Sequence, residues 1–244
     1  MPAMPEPKPK IHFVALVSVD YDIDLLPFLI PHYDALDLDN YCLFLHEGKK
    51  TDDNLWAEKA AKTAGWKSRF IPREASFNNG ELKRVLLNKF RKAAKPTDYI
   101  LCADGDEFQL WEDAPQEAVA DNMDMVLGRR VDRFNDTLVP IEVDLPLEAS
   151  YPLEHADLSR IIFPKHPPKR DKIVMAKAGL EVDYRKCDRL VGKAPANLRV
   201  TGEVPIQHFK WREGIFSRLQ SRMDYTPEEI AAIKEFFEVK ENAP

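Results

Sequence analysis

Cysteine is scarce in this chain: three among 244 residues, at Cys42, Cys102 and Cys187. An odd number without a CxxC spacing excludes a disulfide framework and a zinc knuckle. Cys42 and Cys102 lie inside apolar runs and read as small buried hydrophobes, so a reducing, cytoplasmic setting is expected. Glycine is scarce too, 9 residues against 19 prolines. The first apolar run is followed by DYDIDLLPF, with no glycine in it, so no Gly-rich phosphate loop stands there. A basic excess is lacking as well. The formal net charge of −6 gives the phosphates of a nucleic acid no broad electrostatic partner. No stretch reaches the roughly 18 apolar residues of a membrane span. The proline-rich first ten residues are expected to be a disordered tail, neither leader nor anchor.

What is present is ordinary for a soluble globular chain: 44% apolar and 31% charged residues. The length fits one large domain. Ile11 to Val19 (IHFVALVSV) is nearly continuous and rich in β-branched residues, the pattern of a strand buried on both faces. A helix-like stretch from Leu25 to Leu36 follows, made irregular by Pro27 and Pro31. Tyr41 to His46 and Lys67 to Ile71 read as strands, with a helix over Asp52 to Ala64 between them. Asn78 and Glu81 form a capping pattern for a helix running to about Ala94, with Leu82, Val85, Leu86 and Phe90 on one face. Tyr99 to Ala103 is the next strand. Beyond it, Ala114 to Asn122 reads as helix and Met125 to Phe134 as strand, with shorter strands at Lys172 to Ala176 and Val204 to Phe209. Thr226-Pro227-Glu228-Glu229 starts a last helix over 227–239. Trp56, Trp66 and Trp111 read as packing residues. The alternation of strand and helix predicts a mostly parallel, Rossmann-like α/β sheet flanked by helices, in a single domain.

The strand at Tyr99 runs directly into Asp104-Gly105-Asp106-Glu107-Phe108. Ligands of open α/β sheets bind beyond the carboxyl ends of strands. Two carboxylates at 4 Å repel by about 4 kcal/mol at an effective dielectric of about 20. A divalent cation removes that cost, and hard oxygen ligands with phosphate oxygens select Mg²⁺ or Mn²⁺. An EF-hand does not fit, because Phe108 stands at the third liganding position. The alternative is a solvated acidic turn.

The chain resembles bacterial glycosyltransferases of the family 2 type, with the GT-A fold, on four features. One is the leading strand with its acidic turn and a helix ending at His32-Tyr33. Another is the apolar strand followed by Asp104-Gly105-Asp106-Glu107-Phe108. The third is Leu127-Gly128-Arg129-Arg130-Val131-Asp132-Arg133-Phe134, with Lys172 to Ala176 after it. The last is Ile206-Gln207-His208-Phe209-Lys210-Trp211-Arg212, followed by Gly214 and an arginine-bearing helix (Arg218, Arg222). Asp20-Tyr21-Asp22 stands where the family carries Asn-Glu, and His46-Glu47-Gly48 departs from its usual Asn or Asp.

The resemblance implies a nucleotide-binding half at about 11–110 and an acceptor half at about 111–225. It implies Asp106 as the metal ligand, with Asp104 facing the ribose or a metal-bound water, and His208 as a further metal or diphosphate contact. Mn²⁺ or Mg²⁺ would be the cofactor, and a nucleotide-diphosphate sugar the donor. The acceptor would be a glycan or glycoconjugate hydroxyl in surface glycan synthesis, reached with inversion and with peripheral membrane contact open.

From the residues themselves, His208, Lys210 and Arg212 alternate and would share one strand face, suited to a diphosphate. A charged solvent face is the alternative. Asp132 is the first candidate for the base that deprotonates the acceptor, ahead of Glu107 and Glu203. Its neighbours Arg129, Arg130 and Arg133 equally suit a salt bridge. Asp20 and Tyr21, at the end of the first strand, are placed to meet base or ribose, with His46 and Glu47 at the neighbouring strand end. Asn79, Lys83 and Asn88 are further candidates for base or phosphate. The competing functions are a nucleotidyl or phosphoryl transferase on a similar sheet and a non-catalytic protein that binds a sugar nucleotide.

Overall fold

The computed structural model describes residues 7–72, 79–135, 144–156, 171–183, 189–191 and 195–220, with further positions among 138–142, at 158 and among 226–237. The first half alternates as its periodicity requires: β1 (Ile11–Ser18), α1 (Val19–Asp22), α2 (Leu26–Asp34), β2 (Asn40–His46), α3 (Thr51–Thr63), β3 (Lys67–Ile71), α4 (Asn79–Ala93) and β4 (Tyr99–Asp104). The second half holds β5 (Glu107–Gln109), α5 (Pro115–Ala120), β6 (Met125–Phe134), α6 (Leu147–Ser150), β7 (Leu153–His155), β8 (Asp171–Lys177), the β9 (Val182–Asp183) and β10 (Arg189–Leu190) hairpin, and β11 (Val200–Trp211). A short helix, Ile215–Gln220, follows β11. Asn78, read as the α4 cap, lies outside the described residues, as do Cys187 and Arg222.

The main sheet has the order β3-β2-β1-β4-β8-β6-β11-β5, with β7 beside β6. β1, β2, β3 and β4 are parallel, and β6 and β11 share their direction; β8, β5 and β7 run against it. The fold is therefore the expected one, a single α/β domain on a mostly parallel sheet. β1 is flanked by β2 on one side and β4 on the other. The chain thus leaves β1 outward to β2 and β3 and returns to the opposite side at β4. That reversal opens a crevice at the carboxyl ends of β1 and β4, the usual ligand position of such sheets.

Both sheet faces are covered, which explains why β1 is apolar without alternation. Phe13, Ala15 and Val17 face the α2 and α3 side with Leu29, Tyr33 and Ala57; Val14 and Leu16 face the α4 side with Leu87. On α4 the packing face is Leu82, Leu86, Leu87 and Phe90, whereas Val85, placed on that face from the sequence, is 49% exposed. Trp66 is buried and stacked on Tyr41, and Trp111 packs against the same core, while Trp56 is largely exposed. Trp211, Ile215, Leu219, Ile230 and Phe237 form a third cluster. Ile230 N donates to Thr226 O at 3.1 Å, so the last helix starts where its Thr-Pro pattern indicates. No helix among the described residues is long and apolar enough to cross a membrane.

Candidate functional site

β4 ends at Asp104, Gly105 and Asp106 turn, and Glu107 opens β5. Gly105 N donates to Leu16 O at 3.1 Å, which ties the turn to β1. Phe209 N donates to Asp106 O at 2.9 Å, which ties it to β11. A Cβ on Gly105 would lie 3.0–3.2 Å from the Asp22 side chain, so glycine is what lets the turn and the end of β1 approach. The acidic motif thereby joins three strands.

Its carboxylates divide between two clusters. The inner one holds Glu107 and Asp104. Glu107 meets Lys172 Nζ at 2.5 Å and Arg130 at 3.2 Å, and accepts the backbone N–H of Asp104 at 3.2 Å. Asp104 meets Lys83 Nζ at 3.1 Å and Lys172 Nζ at 3.5 Å. Burial opposes the charge on both carboxyls, but the lysines outweigh it and hold both below the ordinary range. Lys172 comes from β8, the antiparallel strand inserted between β4 and β6.

The outer cluster is built on Asp106. Its Oδ2 faces His208 Nε2 at 3.6 Å and Arg218 at 3.1 Å. His208 Nδ1 is 2.6 Å from Asp132 Oδ1. A carboxylate there makes Nδ1 the protonated nitrogen and leaves Nε2 directed at Asp106. Burial again opposes the Asp106 charge, yet Arg218 and His208 hold its carboxyl well below the usual range. Burial pulls the His208 imidazole down while Asp106 and Asp132 push it up, and the carboxylates prevail. Arg218 also meets Asp22 at 3.0 Å. Burial raises Asp22 above its ordinary value, Arg218 and Arg212 draw it down, and Asp106 adds to the rise.

Beside this cluster lies a cleft of about 310 Å³, lined by Asp20, Tyr21, Asp24, Lys210, Arg212, Glu213 and Arg218. The Arg218 guanidinium lies 5.8 Å from the Tyr21 ring centre, and Lys210 Nζ lies 5.0 Å from that of Trp211. Asp20 Oδ1 accepts the Lys49 N–H at 2.7 Å. Arg212 is buried. It meets Asp22 at 3.0 Å and Asp24 at 3.2 Å, and donates to the carbonyls of Tyr21 and Phe209. It thereby fastens the end of β11 to the turn after β1. The register of β11 shifts between His208 and Trp211, and the strand ends at Trp211, so His208, Lys210 and Arg212 do not form one evenly alternating face. Asp132 is buried with its Oδ1 committed to His208. His46 is buried at the end of β2, paired in register with Ser18, one strand from the crevice.

Sequence reasoning had no partner for the motif's carboxylates in Lys172, Arg130 or Arg218, nor a site role for Asp22. One signal was available: Lys172 directly precedes the apolar run Ile173 to Ala176, and a lysine buried with that run needs a partner.

Asp106 and His208 are the residues that could hold a divalent cation. Oxygen and nitrogen donors face each other, and the imidazole's second nitrogen is held by a carboxylate, as in metal-ligating histidines. Among the described residues no group of three or more metal-ligating side chains converges. Two protein ligands suit an ion that completes its shell with substrate phosphates and water. An imidazole ligand favours a first-row transition ion such as Mn²⁺ over Mg²⁺.

No family model and no curated protein matches the chain. Several solved structures resemble it distantly. A Bacillus anthracis protein assigned as a glucose-1-phosphate thymidylyltransferase, in complex with a sucrose, is 8% identical, covering 91% of this chain and 99% of that one at a TM-score of 0.44. The galactosyltransferase LgtC, in complex with donor and acceptor sugar analogues, is 9% identical over 96% and 97% of the two chains at 0.38. Glucosyl-3-phosphoglycerate synthase from Mycobacterium tuberculosis, in complex with Mn²⁺, uridine diphosphate and glucosyl-3-phosphoglycerate, is 14% identical over 69% and 57% at 0.33.

Proposed function

We propose that the protein is a glycosyltransferase that moves a sugar from a nucleotide-diphosphate donor to an acceptor hydroxyl, with Mn²⁺ or Mg²⁺ held by Asp106 and His208. The observation that carries this reading is the Asp106–His208–Asp132 chain, with its 3.6 Å and 2.6 Å separations, set at the carboxyl end of β4 beside a cleft whose wall carries Lys210, Arg212 and Arg218 together with Asp20, Asp24 and Glu213. The ion would neutralise charge on the diphosphate as the glycosidic bond breaks. Lys210 and Arg218 stand on the cleft wall, where fixed cations stabilise a departing diphosphate. Tyr21 and Asp20 line the same cleft and would meet the nucleoside. Asp104 is shared by two lysines and supports the turn from behind.

Asp132 acts in this reading by orienting His208. Inversion at the anomeric carbon, which the family resemblance implies, then needs a different carboxylate on the acceptor side. Asp24 and Glu213 line the cleft as well. The acceptor is a glycan or glycoconjugate hydroxyl.

The test is release of free nucleoside diphosphate from a panel of nucleotide sugars, with and without Mn²⁺ or Mg²⁺. Metal-dependent release that Asp106→Ala abolishes supports the reading. No metal-dependent binding or turnover of any donor, with Asp106→Ala matching the unmodified chain, removes it. Release of pyrophosphate from a sugar phosphate and a nucleoside triphosphate would instead identify a nucleotidyltransferase.

A further inference from the structure

Arg218 and His208 address the same atom. Arg218 lies 3.1 Å from Asp106 Oδ2, and His208 Nε2 lies 3.6 Å from it. An ion held between Asp106 and His208 would therefore take a carboxylate oxygen that a guanidinium already neutralises. Arg218 also spans to Asp22, at 3.0 Å. Asp22 has a second cation in Arg212, so it stays compensated if Arg218 leaves. Asp106 keeps His208 in that event, but no arginine or lysine other than Arg218 pairs with it among the described residues. Arg218 sits on the Ile215–Gln220 helix just past Gly214, whose φ of +78 is a left-handed turn that glycine adopts without strain. Its guanidinium also lies over Tyr21, on the wall of the cleft.

We infer that Arg218 is an exchangeable counter-charge: it holds Asp106 while the site lacks a divalent ion, and moves onto the donor's diphosphate when the ion takes Asp106. This rests on the Asp106–His208 metal reading. Both halves follow from charge. A cation within hydrogen-bonding reach of a carboxylate oxygen repels a second cation at that oxygen, so the ion alone binds weakly. An incoming diphosphate offers the displaced guanidinium a bidentate partner, so ion and diphosphate bind with mutual gain. The site would then admit the ion chiefly together with its donor.

The experiment is Mn²⁺ titration of the full chain, followed by electron paramagnetic resonance of the free ion. It is run alone and with UDP, GDP, ADP or TDP present, for the unmodified protein, Arg218→Gln, Arg218→Met and Arg218→Lys. Two neutral variants guard against a folding failure in one of them. The expected result is that both neutral variants bind Mn²⁺ alone at least about tenfold more tightly than the unmodified chain, while their gain from a nucleoside diphosphate shrinks. Arg218→Lys, which keeps the charge, stays near the unmodified protein. Equal or weaker Mn²⁺ binding by the neutral variants, with binding still enhanced by a nucleoside diphosphate in the unmodified chain, overturns the inference and leaves the proposed function standing. No Mn²⁺ binding by any of the proteins, with or without nucleotide, overturns both.

Discussion

Asp132 Oδ1 lies 2.6 Å from His208 Nδ1, and both side chains are buried. The pair joins β6 to β11 in register, His208 opposite Asp132. Carboxylates behind a metal-ligating histidine typically change metal affinity by about 10–100-fold when removed. Asp132→Ala is therefore expected to weaken Mn²⁺ binding, measured with saturating nucleoside diphosphate, by about that factor. Asp132→Asn, which still offers an oxygen to Nδ1–H, loses less. Unchanged affinity in both would leave Asp132 as a structural partner only.

Glu107 and Lys172 are each 1% exposed and meet at 2.5 Å. Removing one member of such a pair leaves a buried charge and costs about 3–5 kcal/mol. Lys172→Met should lower unfolding free energy by about that amount in a urea titration. The double variant Lys172→Met with Glu107→Gln should recover part of the loss, because the stranded carboxylate is gone. A double variant less stable than Lys172→Met alone would show that Glu107 is held by Arg130 without need of Lys172.

A Cβ on Gly105 would meet the Asp22 side chain at 3.0–3.2 Å, so Asp22 would have to shift by a few tenths of an ångström. Gly105→Ala is expected to push Asp22 away from the motif, costing about 1–3 kcal/mol of stability by overpacking. Donor turnover should fall as well, since Asp22 carries Arg212 and Arg218. Normal stability with normal turnover would show that the end of β1 yields freely.

His32 packs edge-on against Phe108 and pairs with the Gln109 carbonyl at 2.9 Å. Burial lowers its pKa from the ordinary 6.5, while the Gln109 carbonyl and Glu148 oppose the shift. A histidine depressed in the folded state contributes stability that is full above pH 6.5 and is lost as pH falls through the folded value. Thermal stability of the unmodified protein should decline as pH drops below 6.5, and His32→Gln should flatten that part of the profile. Parallel profiles for the two proteins would contradict this assignment.

The first half of the fold was legible because its strands are long, buried on both faces and separated by punctuated helices. β3 was read with its observed bounds, Lys67–Ile71, and β6 likewise, Met125–Phe134. The short strands β5, β7 and β9 were not legible. Two or three residues are too few for a period, and these strands exist only because a neighbouring edge pairs with them. The site was half visible. The acidic motif and His208 were singled out from residue type and position, and the fold brings Asp106 and His208 to 3.6 Å. Their partners were not, because Lys172 and Asp104 stand 68 residues apart and meet only through the insertion of β8 between β4 and β6. Arg212 was read from strand alternation as facing a ligand; it lines the cleft, but its guanidinium is held among Asp22, Asp24 and two carbonyls, beyond a register shift that alternation does not foresee.

The most direct measurement is a crystal structure of the chain soaked with Mn²⁺ and a nucleoside diphosphate that it binds in solution, with anomalous scattering used to locate the ion. The account predicts one Mn²⁺ within bonding distance of both Asp106 Oδ2 and His208 Nε2, with the diphosphate completing its shell and lying in the cleft beside Tyr21 and Lys210. A diphosphate bound there without an ion at Asp106, or an ion and diphosphate bound elsewhere on the chain, would contradict it.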